Sequence, residues 1–324
     1  MLADKTIKTP GEESLNAHTL QNELQQLADR AGPERSALIL NYVAASRTQA
    51  LAVRCVPAAQ ADGAVSYHGS MGGTPLLPTD FDWPKDRLGV PMLFIAQFDL
   101  GRLPPTDVNR PKQGLVSIFR SQQILTMPVK DRRSFHISYL PQFDYSLMQA
   151  QHPPLPAGPD ASLGPSPTAG DSPPVEFPAW AMLATPCWTV SEQVDDLSSQ
   201  FNLSPPEEGE LRAWAQKFNC FSGGNNLLFP ANLTGLAEQK EVCAFAASGV
   251  SHSPARARDH HFSYLLDDAL NWLLLAKFDE AGLFSDGTTV NHPHVAETRL
   301  LIRRQDLELG LFDRGWIICL KACL

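Results

Sequence analysis

Apolar residues fall at Leu15, Leu20, Leu24, Leu27 and Ala28. These spacings place them on one face of a helix over residues 14–31, which Gly32-Pro33 closes. A second helix is predicted over 34–46, after which Ala50 to Val56 reads as a strand entering the main body. From 65 to 145 the pattern changes to short β-like runs separated by Gly and Pro: Met92–Phe98, Leu115–Arg120 and Ser134–Leu140.

Beyond residue 150 the punctuation thickens. The stretch 151–178 is rich in Pro, Gly and Ser and holds too little apolar surface to offset its ordering entropy, so a loop or linker is expected. Ser204, followed by Pro205, Pro206 and Glu207, supplies an N-cap, a proline at the first helical position and a glutamate at the third. That combination predicts a helix over 205–219. A further helix is expected over about 257–270, with Phe262, Leu265, Leu266, Ala269 and Leu270 on one face.

The segment Leu93–Leu103 aligns without a gap to Leu273–Leu283, each carrying an apolar strand that ends in Phe-Asp. Diglycines stand upstream of both, Gly72-Gly73 and Gly223-Gly224, and a second strand-like run follows each, Gly114–Phe119 and Thr298–Ile302. This repetition points to an internal duplication. Both strands are apolar on both faces, which suits central strands covered from two sides. The expected class is α+β: a predominantly antiparallel, roll-like β core from two related halves, with an N-terminal helical hairpin and peripheral helices. Along the chain this reads as a helical extension (1–49), a first β half (50–150), the Pro-rich linker (151–178) and a second half (179–324), the two halves packed as one domain.

Composition narrows the function classes. A formal charge of −9 disfavours nucleic acid, which needs neutralising Lys and Arg, and makes a basic partner easier to accommodate. The polar start and the lack of long apolar runs give the expectation of a cytoplasmic chain that does not span a membrane. The six cysteines form no CxxC pair, and most lie in apolar runs, as buried free thiols do.

No GxxxxGK[ST] or GxGxxG is present, so the usual phosphate cradles are missing and no cofactor is expected. Gly249-Val250-Ser251-His252-Ser253 comes near a nucleophile elbow but lacks its last glycine, and a polar loop is the plainer reading. His292 and His294, two apart on an extended segment, could grip a metal ion with His260 or His261 as a third ligand; surface loops are the plainer reading. Asp99 and Asp279, which end the repeated strands, are the candidate catalytic carboxylates if they face one cleft. Otherwise each caps the turn that follows it. The remaining candidates, Asp80, Asp82, Asp267 and Asp268, are expected at solvated positions.

The run Met71-Gly72-Gly73-Thr74-Pro75-Leu76-Leu77-Pro78, then Trp83-Pro84 and Pro91 to Leu100, resembles the YwqG-like family of bacterial proteins of unknown function. Asn271 to Leu275 and Arg303 to Cys319 resemble that family's closing strands, so the similarity spans about 70–320. The chain departs from the family after Asp279, where Phe284-Ser285-Asp286-Gly287 replaces a Trp-Gly-Asp stretch. The resemblance implies a mostly β roll with peripheral helices and carries no catalytic residues. It also implies an immunity or partner-binding role. The sequence therefore favours a non-catalytic binding protein whose partner is a protein, with a basic toxin domain as the candidate. The alternative is a hydrolase with a carboxylate- or histidine-lined cleft between the halves.

Overall fold

The computed structural model describes residues 10–60, 67–121, 132–154, 179–192, 203–223, 226–230, 233, 236–280 and 295–321. Most of the Pro-rich stretch, together with Gly224, His292 and His294, lies outside the described residues. No described helix is long and apolar enough to cross a membrane.

Helices α1 (Pro10–Arg30) and α2 (Pro33–Ser46) form the expected hairpin, with Gly32 at φ 91° between them. That left-handed backbone suits glycine, and Pro33 then starts α2 with its φ already helical. Leu20, Leu24, Leu27 and Ala28 of α1 are buried with Ile39 and Val43 of α2, against Leu211, Trp214 and Ala215 of α3 (Pro205–Gly223). The start of α3 is as expected: the backbone N–H and Oγ of Ser204 both donate to Oε2 of Glu207, at 2.7 and 2.8 Å. The helix runs to Gly223, four residues beyond its expected end.

The body is one ten-stranded antiparallel sheet curled towards a barrel. Its strands are β1 (Thr48–Pro57), β2 (Gly69–Met71), β4 (Leu93–Asp99), β5 (Leu115–Arg120), β6 (Phe135–Leu140), β8 (Trp180–Thr189), β9 (Leu227–Leu228), β10 (Trp272–Asp279), β11 (Val295–Arg303) and β12 (Trp316–Lys321). They lie in the order β12-β11-β10-β9-β1-β8-β2-β4-β5-β6, while β3 (Leu76–Pro78) and β7 (Met148–Ala150) pair separately. At the two ends of the sheet, side chains close the roll. Phe135 of β6 meets Trp316 of β12 with ring centroids 5.4 Å apart, and Tyr139 meets Phe312 at 4.6 Å.

The strand order is palindromic, and the pairing carries the repeat further than the sequence does. Phe98 of β4 stands opposite Val116 and Phe278 of β10 opposite Thr298; each ladder slips by one residue at the matching place, between Phe94 and Ala96 and between Leu274 and Ala276. Such a bulge bends its strand and sharpens its twist, which helps a sheet to curl. Met71 pairs with Ala96 as Leu228 pairs with Ala276. The next residue in each case has a left-handed backbone, Gly72 at φ 59° and Phe229 at φ 55°. Each donates its N–H to the bulged carbonyl, of Ile95 and Leu275 respectively, at 2.9 Å. The counterpart of Gly72 is therefore Phe229, whereas Gly223 ends α3 and plays no matching part. Composition misled here because the backbone position, and not the glycine, is what repeats.

β1 and β8 pair along their full length at the centre of the sheet, yet β1 also borders β9 of the second half and β8 borders β2 of the first. Each half thus lends its leading strand to the other. Phe98 and Phe278 are fully buried in the same core, and burying such a side chain contributes about 1.5–3 kcal/mol.

Over the second half, α4 (Leu236–Ala247) and α6 (Ser263–Ala269) cover β10 and β11. Arg299 of β11 donates to Gln239 of α4, and Arg303 to Asp268 of α6. The expected single helix over 257–270 is broken into α5 (Pro254–Ala257), a one-turn 3₁₀ segment (His260–Phe262) and α6. The cause is local: Ser253 caps α5, then Asp259 accepts from the His261 N–H and starts a new turn. Leu270, expected on the buried face, is exposed. A last short helix, α7 (Arg304–Glu308), follows β11.

Candidate functional site

Asp99 does what the plainer reading expects. Its Oδ1 accepts the Gly101 N–H at 2.8 Å, and its Oδ2 accepts the Tyr145 hydroxyl at 2.9 Å and lies 3.3 Å from Nε of Arg102. Burial, with the Asp99 carboxylate beside it, pushes the Tyr145 phenol up to about 12, so it stays protonated and donates. Asp279 is half-buried, with its backbone N–H on Oδ1 of Asn226 at 2.8 Å and Glu297 opposite in register. Four strands, β9, β1, β8 and β2, separate β10 from β4. Arg120, which meets Glu280 beside Asp279, pairs with Leu93 at the opposite end of β4 from Asp99, so this contact across the roll does not place the two carboxylates together.

Asp80, Asp82 and Asp267 are exposed as expected. Asp268 is not. It holds Arg303 through two oxygens at 2.9–3.1 Å and accepts Nε1 of Trp272 at 3.1 Å. Ser251 is exposed, and its carbonyl accepts from Arg256. His260 and His261 are exposed on the 3₁₀ turn, where their ring nitrogens and the Asp259 carboxylate lie within 4.8 Å of one another. An N₂O donor set of this kind suits a borderline transition metal. The other two histidines of that expectation fall outside the described residues.

Two arrangements escaped the sequence reading. One is a buried polar network: Arg120 of β5 donates from Nη2 to Oε2 of Glu280 at 2.6 Å and from Nε to Oε1 at 3.3 Å. Thr298 of β11 also donates to that Glu280 carboxylate, and Sγ of Cys319 lies 3.6 Å from the threonine hydroxyl. Burial holds the Cys319 thiol up at about 11, which leaves it neutral.

The other arrangement is a half-open groove of about 520 Å³ where the helical hairpin leans on the sheet. The sheet makes room for it. β2 borders β8 only along Trp180–Met182, so from Pro186 onwards β8 runs past β2 and helices take its place. Here proline in a central strand is tolerated, because the position lies beyond the reach of the second neighbour. α1 contributes Leu20 and Leu24 at helical spacing; α2 contributes Leu40, Val43 and Ala44 along one stripe, and Arg47 follows as its extended C-cap. Cys187 and Trp188 of β8 and Trp214 and Phe218 of α3 complete the walls. Asn219 fixes the two elements to each other, accepting from the Val190 N–H at 2.8 Å and donating to the Val190 carbonyl at 3.0 Å.

The polar groups of these walls are largely spent. Nε1 of Trp214 donates to the Leu20 carbonyl at 2.8 Å, and burial pushes the Cys187 thiol up to about 11, so it is an uncharged wall at neutral pH. Trp188 keeps 45% of its surface exposed. The Arg47 guanidinium lies 5.3 Å from the Trp188 ring centre and 5.9 Å from that of Phe218. Arg47 is exposed and forms no ion pair among the described residues. The stripe on α2 was readable as helix periodicity. Its exposure was not, since that depends on where β2 stops.

A comparison with curated proteins finds no match. A family profile, that of a domain of unknown function (DUF1963), matches residues 70–320, a span that takes in the ten-stranded sheet except β1, the first residue of β2 and the last residue of β12. With most of its length inside that match, the chain belongs to the DUF1963 family.

Proposed function

We propose that this chain is a non-catalytic binding protein, standing with the YwqG-like bacterial proteins of its family and working in the cytoplasm. The observation that carries the reading is the lining of the groove. Aliphatic side chains, two tryptophans, a phenylalanine and a neutral thiol form most of it, with Gln21, Gln25 and Arg47 as its polar members, and among the described residues that line it there is no carboxylate or histidine to move a proton. Tryptophan and arginine are the residues that anchor partners most strongly in recognition surfaces. A hydrolase would need an acid and a base within reach of one substrate. Asp99 is tied to Gly101, Tyr145 and Arg102, and Asp279 lies beside Glu280, whose partner Arg120 pairs with the opposite end of β4.

The finer proposal is an immunity protein whose acidic surface covers a basic toxin domain. The charge of −9 supports it, since opposite charge steers encounter and sets the salt dependence of association. The test is to identify a toxin gene beside this one, co-express its product with the chain and purify both at low salt. A complex that forms at low salt and weakens as salt rises is the expected result. Two purified proteins that fail to associate at low salt overturn the immunity reading, and turnover of ester, amide or glycoside substrates that is lost in Asp99→Asn overturns the non-catalytic one.

A further inference from the structure

We infer that the groove beside Trp188 is a ligand site for an apolar carboxylate, a molecule with a hydrocarbon body and one anionic end. The inference rests on reading the groove as a binding site and is independent of which protein the chain engages. Its volume of about 520 Å³ falls in the range of small-molecule sites, roughly 300–1,000 Å³. It also has their composition, apolar and aromatic walls with few polar groups. Along α2 the stripe from Leu40 to the end of the helix extends about 9 Å at the helical rise, with Arg47 just beyond it, room for a medium-length chain and too short for a docked helix of several turns.

Arg47 sets the sign of the ligand. Its guanidinium lies near the faces of Trp188 and Phe218, an arrangement that keeps the planar fork in one orientation. Stacking uses the face of the guanidinium and leaves its N–H edge for an acceptor. Among the described residues no carboxylate stands within ion-pair distance of Arg47, although the helices around it carry several: Glu23 is paired with Lys217, Glu210 with Arg30 and Glu207 with Arg35. A cation held over aromatic rings at the mouth of an apolar groove, with no described carboxylate in ion-pair reach, is matched by a carboxylate whose body fills the groove.

The experiment titrates the full chain with decanoate, decanol and decylamine, followed by calorimetry and by tryptophan fluorescence, because Trp188 and Trp214 both line the groove. Decanoate is expected to bind at least tenfold more tightly than decanol, and decylamine more weakly than either. Arg47→Gln, a change at an exposed position, is expected to bring decanoate to the level of decanol while decanol binding stays as in the parent. Equal affinity for decanoate and decanol in the parent chain overturns the charge assignment. Absence of binding by all three overturns the ligand site. If the three ligands are ignored while a toxin complex forms and is weakened by Arg47→Gln, the groove is a protein-docking face and this inference fails, leaving the binding reading in place.

Discussion

Arg120 and Glu280, 160 residues apart in sequence, meet as a buried two-point ion pair, with side chains only 2% and 3% exposed. β5 carries the cation and the residue after β10 carries the anion, so the pair joins one half of the repeat to the other across the roll. Two charges taken out of water repay that cost only with good geometry and further hydrogen bonds, here supplied by Thr298 and by the Ser121 carbonyl.

Removing one partner leaves the other charge buried alone. Arg120→Met and Glu280→Leu are each expected to destabilise the fold by about 3–5 kcal/mol. The double variant Arg120→Met/Glu280→Leu, which removes both charges, is expected to recover much of that loss. Urea unfolding of the four proteins checks this, and additive single losses would rule out the coupling.

β2 and β4 approach each other more closely than any side chain allows. A Cβ at Gly69 would lie 2.1 Å from the Gln97 carbonyl oxygen and 2.8 Å from Cα of Phe98, both backbone atoms that cannot swing aside. Gly69→Ala is expected to cost about 1–3 kcal/mol, the usual range for overpacking, and to lower the thermal midpoint accordingly. An unchanged midpoint would mean that the two strands can part without loss.

His68 gives stability a pH dependence. Burial, together with the charge of Arg102, lowers its pKa below the ordinary 6.5, and its Nδ1 accepts the Ala184 N–H at 2.9 Å, which requires the neutral ring. Between the lowered folded value and 6.5 the unfolded chain binds more protons, so this contribution is fully present above 6.5 and is lost as pH falls through that window. Thermal midpoints measured from pH 8 down to pH 5 are expected to fall below 6.5. His68→Asn, whose amide oxygen can accept the same N–H, is expected to flatten that part of the profile.

Cys187 is expected to resist alkylation. With its thiol held up at about 11 by burial, the thiolate fraction at pH 8 is roughly a hundredfold below that of a free group with the usual value of 9. Peptide mapping after iodoacetamide treatment checks this. Labelling at the rate of glutathione would show that the groove wall opens to solvent.

Much of the body was legible before any coordinates. The strands around Phe98 and Phe278 announce themselves because residues apolar on both faces can only be central, and the start of α3 because Ser204 and Glu207 satisfy each other's neighbourhood within one turn. What stayed hidden depends on long-range pairing. Nothing local in Trp180–Thr189 says that it runs beside Thr48–Pro57, and Pro186 argues against a central strand until β2 is seen to stop short of it. Arg120 and Glu280 likewise look like two surface charges until the sheet curls, and Phe229 hides a backbone conformation that composition assigns to glycine.

The exchange of β1 and β8 bears on how the chain is made. As the polypeptide leaves the ribosome, β1 emerges early but gains its first partner only when β8 follows, and its second only once Leu228 is out. β2 likewise waits for β8 on one side. Neither half can be completed and set aside while the other is still being synthesised, so maturation is a late, concerted closure dominated by distant pairings, the kind of topology that folds slowly.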